Sequence, residues 1–369
     1  MPKQASVSRA WWIWMLPLLC CGGIATRADA ADSVLSPARQ VTRIAEGVYE
    51  IRHKDPFPGW VTGNTTVIIG TQAVFVVDAC QLPSDAREDI AQIRQWTDKP
   101  VRYLLNTHWH SDHNGGNQAY AEAYPGVAIV AHDETRQMMD AGGPGVPALW
   151  LKDVDLTRAN IAHALDTGLH STGTPLTDAE RQEARAALKD LDRVASEAAH
   201  YRYQAPNLTF TQALDIDLGG IEVQVRHLGR ANTGGDAVVY LPARKLLVTG
   251  DIVVHPVPYT YDGYPSEWVR TLEALMALPA DTIVPGHGEV LHDMQYLRTL
   301  RDMMQSTVTQ VDAQFSRNIE ASLDDVKKAV DLHEFRDRIA AGDKDSAAFF
   351  DDSVIGHFVE LAYHERKQR

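Results

Sequence analysis

Asn106-Thr107-His108-Trp109-His110-Ser111-Asp112-His113-Asn114-Gly115-Gly116-Asn117 places three histidines and one aspartate within six residues. Imidazole nitrogens are borderline-soft donors and a carboxylate is a hard one, a combination that suits zinc. The run follows Val101-Arg102-Tyr103-Leu104-Leu105, an apolar strand-like segment, and ends in a Gly-Gly turn. The end of a buried strand is a rigid place from which to display ligands. A histidine-rich surface turn needs no such strand beneath it.

The pattern His-x-His-x-Asp-His resembles the first metal motif of the metallo-β-lactamase superfamily, and further stretches resemble that family in the same order over residues 45 to 290. Gly63-Asn64-Thr65-Thr66-Val67-Ile68-Ile69-Gly70 and Ala73-Val74-Phe75-Val76-Val77-Asp78-Ala79 resemble its paired opening strands, with Asp78 before the first helix. Val248-Thr249-Gly250-Asp251 resembles the strand end whose aspartate bridges two metals, and Val284-Pro285-Gly286-His287-Gly288 resembles the last metal-binding histidine loop. Leu228-Gly229-Arg230-Ala231-Asn232-Thr233-Gly234-Gly235-Asp236 matches the third motif except at one position, where Asn232 stands for the usual histidine.

The resemblance implies a ligand set. His108 and His110, with the position of Asn232, would hold a first metal; Asp112, His113 and His287 would hold a second, and Asp251 would reach both. An amide oxygen is a poorer zinc ligand than imidazole. One tight zinc site and one weakened site are therefore expected. His255, four residues after Asp251, is the first candidate to replace the missing histidine; His227, at the end of Ile221-Glu222-Val223-Gln224-Val225, reads as a strand residue.

Residues 1–30 read as a secretory signal peptide: Lys3 and Arg9 precede the apolar run Trp11 to Leu19, and Ala28-Asp29-Ala30 offers a cleavage point. Pro17 and Gly22-Gly23 interrupt that run, which is short for a permanent span, so no stable membrane anchor is expected after cleavage. A lipoprotein site at Cys20 or Cys21 is disfavoured because Leu18-Leu19 precede it. The expected location is periplasmic or secreted. Removing Lys3, Arg9, Arg27 and Asp29 takes the formal charge from −14 to −16. So acidic a chain is a poor partner for nucleic acid or an anionic membrane, and points to a small-molecule substrate. Only Cys80 is left, so no intrachain disulfide is available; its place after Val76-Val77-Asp78 reads as packing and not as a nucleophile.

With 369 residues, 44% of them hydrophobic, the chain can bury a large core. The resemblance implies α/β architecture for residues 31–369: a four-layer αββα sandwich with a helical insertion at about 142–204 and a helical C-terminal tail at about 295–369. Helices are read at 84–96 with Ser84 as cap, near 134–139, at 178–200 behind the capping box Thr177/Glu180, and from Ser322 through Val330. The insertion reads equally as a lid or cleft wall and as a packing or oligomerising arm; the tail is expected to pack outside and add little chemistry.

A metal held by nitrogen and carboxylate ligands lowers the pKa of its bound water to about 7. The expected function is thus a secreted zinc hydrolase whose metal-bound hydroxide attacks a carbonyl, with Asp112 and Asp251 as catalytic carboxylates and a β-lactam as leading substrate. A lactonase, esterase or thioesterase is the alternative. A single-iron sulfur dioxygenase would depend on the first site that Asn232 weakens, and a non-catalytic metal-binding protein would not need the full set of ligands. Tyr259, Tyr261 and Tyr264 follow the Asp251 strand and are candidates to reach the cleft.

Overall fold

The structure is a computed structural model describing residues 39–57, 60–170 and 174–369; the expected signal segment lies outside them. Strands β1 (Gln40–Ala45), β2 (Val48–Arg52), β3 (Thr65–Ile69), β4 (Val74–Val77), β5 (Val101–Leu105), β6 (Ala128–His132) and β7 (Leu208–Phe210) form one sheet in sequence order. Neighbours are antiparallel from β1 to β4 and parallel from β4 to β7. Parallel neighbours need a crossover, and helices supply it: α1 (Pro83–Trp96) joins β4 to β5, while α2 (Ser111–Asn114) and α3 (Asn117–Ala123) join β5 to β6. The helices α4 (Asp133–Gly142), α5 (Val146–Thr167) and α6 (Asp178–His200) lie between β6 and β7.

The second sheet runs β12-β11-β10-β9-β8, from β8 (Ala213–Asp217), β9 (Glu222–Arg226), β10 (Val238–Leu241), β11 (Leu246–Val248) and β12 (Thr282–Val284). Only β11 and β12 pair in parallel there, and α7 (Pro265–Met276) spans the crossover between them. The chain finishes with α8 (Gln295–Arg317), α9 (Leu323–Ala329), α10 (His333–Ala340), α11 (Lys344–Phe350), a π-helical turn over Asp351–Phe358, and α12 (Val359–Lys367).

Side-chain alternation sorts these elements into four layers. In β4, Phe75 and Val77 enter a core with Val223, Val225, Val239 and Val248 of the other sheet, whereas Val74 and Val76 face Ala86, Ile90 and Ile93 of α1. In β10, Val239 and Leu241 face inward while Val238 and Tyr240 meet Trp268, Leu272, Leu300 and Met304 of α7 and α8. These two strands are covered on both faces, so each reads as a continuous apolar run with a hidden period of two. The helix–sheet–sheet–helix order is the expected αββα sandwich.

Two compact units divide the described residues. One is the sandwich with its tail, residues 39–54, 62–144 and 202–369. The other comprises 55–57, 60–61 and 145–201, in which α5 and α6 form an antiparallel pair closed by buried Trp150, Val154, Leu191 and Val194 and by an Arg158–Asp192 ion pair at 2.8 Å. The Thr177/Glu180 capping box starts α6 as read. Helix α5 was not read from sequence, because its apolar residues are spread around it instead of forming one stripe. Helix α1 begins one residue earlier than expected, with Pro83 in its first turn and Leu82, not Ser84, at the cap position. Proline suits that first turn because its missing N–H would have no partner there.

Candidate metal centre

The expected ligands lie in the segments that follow β5, β11 and β12, except Asn232, which lies in the loop between β9 and β10. Strand β5 ends at Leu105, and Asn106 and Asn117 close the following loop by exchanging side-chain amide bonds of 2.9 and 2.8 Å. Asn114 Nδ2 donates to Trp109 O at 2.9 Å and His110 O at 2.6 Å, which fixes the turn that presents the histidines. The asparagines of the motif therefore build the loop.

Two donor groups converge, with ligand atoms within 4.8 Å of one another in each: Asp112, His113, Asp251 and His287 in one, His108, His110 and Asp251 in the other. His113 Nε2 and His287 Nε2 face each other at 3.2 Å, and His108 Nε2 faces His110 Nδ1 at 3.0 Å. Asp112 Oδ2 is 3.0 Å from His287 Nε2 and 3.3 Å from His113 Nε2. Asp251 Oδ1, buried, has no donor in good hydrogen-bond geometry, although His113 Nε2 is 3.2 Å away. Nitrogens opposed to nitrogens, with a carboxylate oxygen lacking a bond, are the arrangement a shared cation completes. The residues fit a divalent metal.

The partners behind the ligands set which nitrogen faces inward. Asp78 only accepts, so His113 donates to it from Nδ1 (2.8 Å), leaving Nε2 for the centre. Asp78 also accepts from Thr107 N (2.8 Å) and Thr107 Oγ1 (2.9 Å); with its proton so used, Thr107 Oγ1 accepts from His108 Nδ1 (3.0 Å), and His108 Nε2 likewise faces inward. Asp78 adopts a left-handed φ of 61°, a conformation costing a non-glycine residue on the order of 1 kcal/mol, which these bonds offset. Two glycines allow close approach: a Cβ on Gly286 would collide with the Asp251 carboxylate, and one on Gly63 with the His113 ring. Gly63 N donates to Asp112 O (3.2 Å), and Asn64 binds Gly286 O through its N (2.7 Å) and Gly288 O through its Nδ2 (2.9 Å). The 63–64 segment thus ties the Asp112 loop to the His287 loop.

Charge in the cluster is balanced among its members. Burial opposes a charged His113, yet Asp251, Asp112 and Asp78 hold it well above the usual histidine range. His287 is pushed up to about 9 by Asp251 and Asp112 against burial. Burial would raise the Asp112 and Asp251 carboxyls, but His113 and His287 hold them well below the usual range. His108 is driven well below its usual value by burial and by the neighbouring His113 charge.

Asn232 is buried, and its Nδ2 has no hydrogen-bond partner. The two ends of an amide exchange by a half-turn of the side chain, so its oxygen can take that place. Its loop is held by Asp236, which accepts from Ala231 N (3.1 Å), Thr233 N (2.8 Å) and Thr233 Oγ1 (2.7 Å), while Ala237 N donates to Thr107 O (2.8 Å) beside His108. Neither alternative histidine joins the donor groups. His227 stacks on His132 with centroids 4.3 Å apart, and the His255 ring packs edge-on against Tyr296. Each belongs to a neighbouring packing contact, so no histidine among the described residues replaces the one missing at position 232. Tyr259 does reach the centre, its ring 4.9 Å from that of His287, whereas Tyr264 lies under the Arg230 guanidinium and Tyr261 packs on the tail.

Cys80 is buried near His53 and Asp89 in a third donor cluster. There, however, His53 donates to Asp89 Oδ2 (2.9 Å) and Gly63 O (3.0 Å), and Arg39 donates to Asp89 Oδ1 (2.8 Å). That network already holds its own cation, and it braces Gly63 against His113.

Comparison with known proteins agrees with this geometry. The chain is 25% identical over 263 residues to a linear primary-alkylsulfatase of Pseudomonas sp. (strain ATCC 19151), a match covering 68% of this chain and 46% of that protein. It is 26% identical over 108 residues to an atrochrysone carboxyl ACP thioesterase of Cryptosporiopsis sp. (strain 8999), covering 29% and 34%. The chain thus spans less than half the length of these relatives. The solved metallo-beta-lactamase from Pontibacter korlensis superposes with a TM-score of 0.51 at 19% identity, over 73% of this chain and 99% of that one, a likeness of fold. The sequence profile of the metallo-beta-lactamase superfamily matches residues 58–287, which takes in every expected ligand position from His108 to His287, and the chain belongs to that superfamily.

Proposed function

We propose that this chain is a zinc-dependent hydrolase of a small-molecule ester, thioester or strained amide, acting in the periplasm or outside the cell. Membership of the superfamily supports a metal-binding hydrolase; the metal, the bond and the location are our reading. The observation that carries it is Asp251, one buried carboxylate shared by the His108/His110 pair and the Asp112/His113/His287 set. When bound, zinc polarises a scissile carbonyl and brings the pKa of a water to about 7.

The protein's own groups do the rest. Asp78 keeps Nε2 of His113 directed inward, and Asn64 holds the His287 loop at the matching distance. Asp251 and Asp112 stay ionised, so each can accept a hydrogen bond from a water and orient it; the Asp112 side chain, 13% exposed against 3% for Asp251, is the more open to solvent. Asn232 leaves the first set one strong donor short, so the complete second set carries the reaction.

The β-lactam amide expected from sequence stays on the test panel. The alkylsulfatase and thioesterase matches favour an open ester, and hydrolysis of a sulfate ester is the second reading, favoured by the 25% identity over 263 residues. Zinc-loaded protein should be assayed against a chromogenic β-lactam, an acyl ester, an acyl thioester and an alkyl sulfate. Turnover of at least one, lost on chelation and in His287→Ala, is the expected result. Stoichiometric zinc with no turnover on any of the four would overturn the proposal.

A further inference from the structure

The helical tail packs outside the second sheet, and its Phe349 meets Tyr259, whose ring lies beside that of His287. Ser353, fully buried in the π-helical turn, donates from Oγ to Pro258 O (2.7 Å) and accepts from Thr260 N (3.1 Å), while Thr260 Oγ1 donates to Ser353 O (2.7 Å). Thr260 is equally buried. Tyr259 is therefore held between two anchored residues. A π-helical turn shifts the side chains that follow it, and such turns recur at functional sites.

On the tail, Phe349 and Phe350 point about 100° apart around α11. Phe350 is fully buried under the second sheet and anchors the helix, whereas Phe349 is half-buried and its ring lies 5.3 Å from Tyr259, edge to face. Tyr261, also half-buried, lies 6.3 Å from Phe349, and its hydroxyl donates to Asp352 Oδ2 (3.1 Å) at the rim. Three half-exposed aromatic rings thus run outward from a metal-ligand histidine. They are fixed in place by buried bonds and not by one another alone. Apolar surface held in place and partly exposed beside a reactive centre is what a ligand's apolar body covers.

We propose that Tyr259, Tyr261 and Phe349 form a subsite for the apolar acyl or alkyl arm of the substrate, running from His287 toward the tail. This rests on the ester-hydrolase reading above and names the class of ester: one with an extended apolar arm. Each methylene withdrawn from water is worth about fourfold in kcat/KM. An arm of eight carbons should exceed one of four by more than about tenfold.

The test uses full-length zinc-loaded protein and acetyl, butyryl and octanoyl esters of one alcohol, together with equilibrium binding of acetate and octanoate. Expected are kcat/KM rising with chain length through KM, and octanoate binding at least about tenfold tighter than acetate. Phe349→Ala should flatten both series with zinc content unchanged, and Phe349→Leu should keep part of the preference. A flat series in the unmodified protein, or a preference untouched in a folded Phe349→Ala, would overturn the subsite. If no ester is turned over, the carboxylic-ester reading fails, and the octanoate-to-acetate ratio still decides whether the subsite exists.

Discussion

His113 donates from Nδ1 to Asp78 Oδ2 across 2.8 Å, and the same carboxylate, through Thr107, fixes the Nδ1 side of His108. One buried aspartate outside the ligand set therefore orients a ligand of each donor group. Asp78→Asn should keep the fold and lower metal affinity and catalytic rate by about 10- to 100-fold, the usual effect of losing such a partner. Competition for zinc against a chelating dye measures the first; unchanged affinity would show that the ring is held by packing alone.

Asn232 offers an amide where the first donor group needs a third strong ligand. The unmodified protein should retain one zinc tightly after dialysis against a mild chelator and a second only weakly. Asn232→His should raise the retained zinc toward two, because His108 and His110 are already placed. Elemental analysis checks this. Two equally tight ions in the unmodified protein would contradict it.

Without metal, His287 is held at about 9 and His113 well above its usual value by the carboxylates around them. Ligation needs neutral imidazole, so zinc binding near pH 7.5 should release about two protons, read by calorimetry in buffers of different ionisation enthalpy. The sign for stability follows from raised folded-state values: the metal-free protein has this contribution in full below the unfolded histidine value near 6.5 and loses it as pH rises through about 9. The zinc form should lack that alkaline loss. A buffer-independent binding enthalpy would contradict the protonated starting state.

Glu50 on β2 is raised to about 7 by burial, with Arg52 opposing and Glu289 adding to the shift, and its Oε1 has no hydrogen-bond partner. A carboxyl raised in the folded state favours folding below its unfolded value near 4.5, and that advantage is lost as pH rises through about 7. Glu50→Gln should therefore leave stability unchanged at pH 4 and raise it at pH 8 by at most about 3 kcal/mol, the equivalent of the shift. Urea unfolding at the two pH values measures this; equal effects at both would contradict a buried, costly charge.

The metal centre was legible because its donors are displayed from strand ends in short, glycine-bounded motifs, and local sequence carries that information. The fold was legible through the same motifs, since strands buried on both faces, such as Thr65–Ile69, hide the period-two signal from periodicity alone. What sequence could not give depends on distant pairing. Asp78 meets Thr107 and His113 only because β4 and β5 are neighbours. Asn64 reaches Gly288 across 224 positions, and Ser353 reaches Thr260 across 93, so the Asn64 clamp and the aromatic wall have no local signature. His255 looked suited to replace the missing ligand by spacing alone, but its ring turns to Tyr296.

In the proposed function, the donor groups around Asp251 hold the ion on which hydrolysis depends. Metal-free protein should be titrated with zinc while the best substrate of the panel is assayed and bound zinc is counted in parallel. The rate should be absent without zinc, rise in proportion to the first equivalent and then level off, and His113→Ala should neither bind that equivalent nor turn over substrate. A rate that persists in fully metal-free protein, or a His113→Ala variant with full zinc content and full rate, would contradict the account.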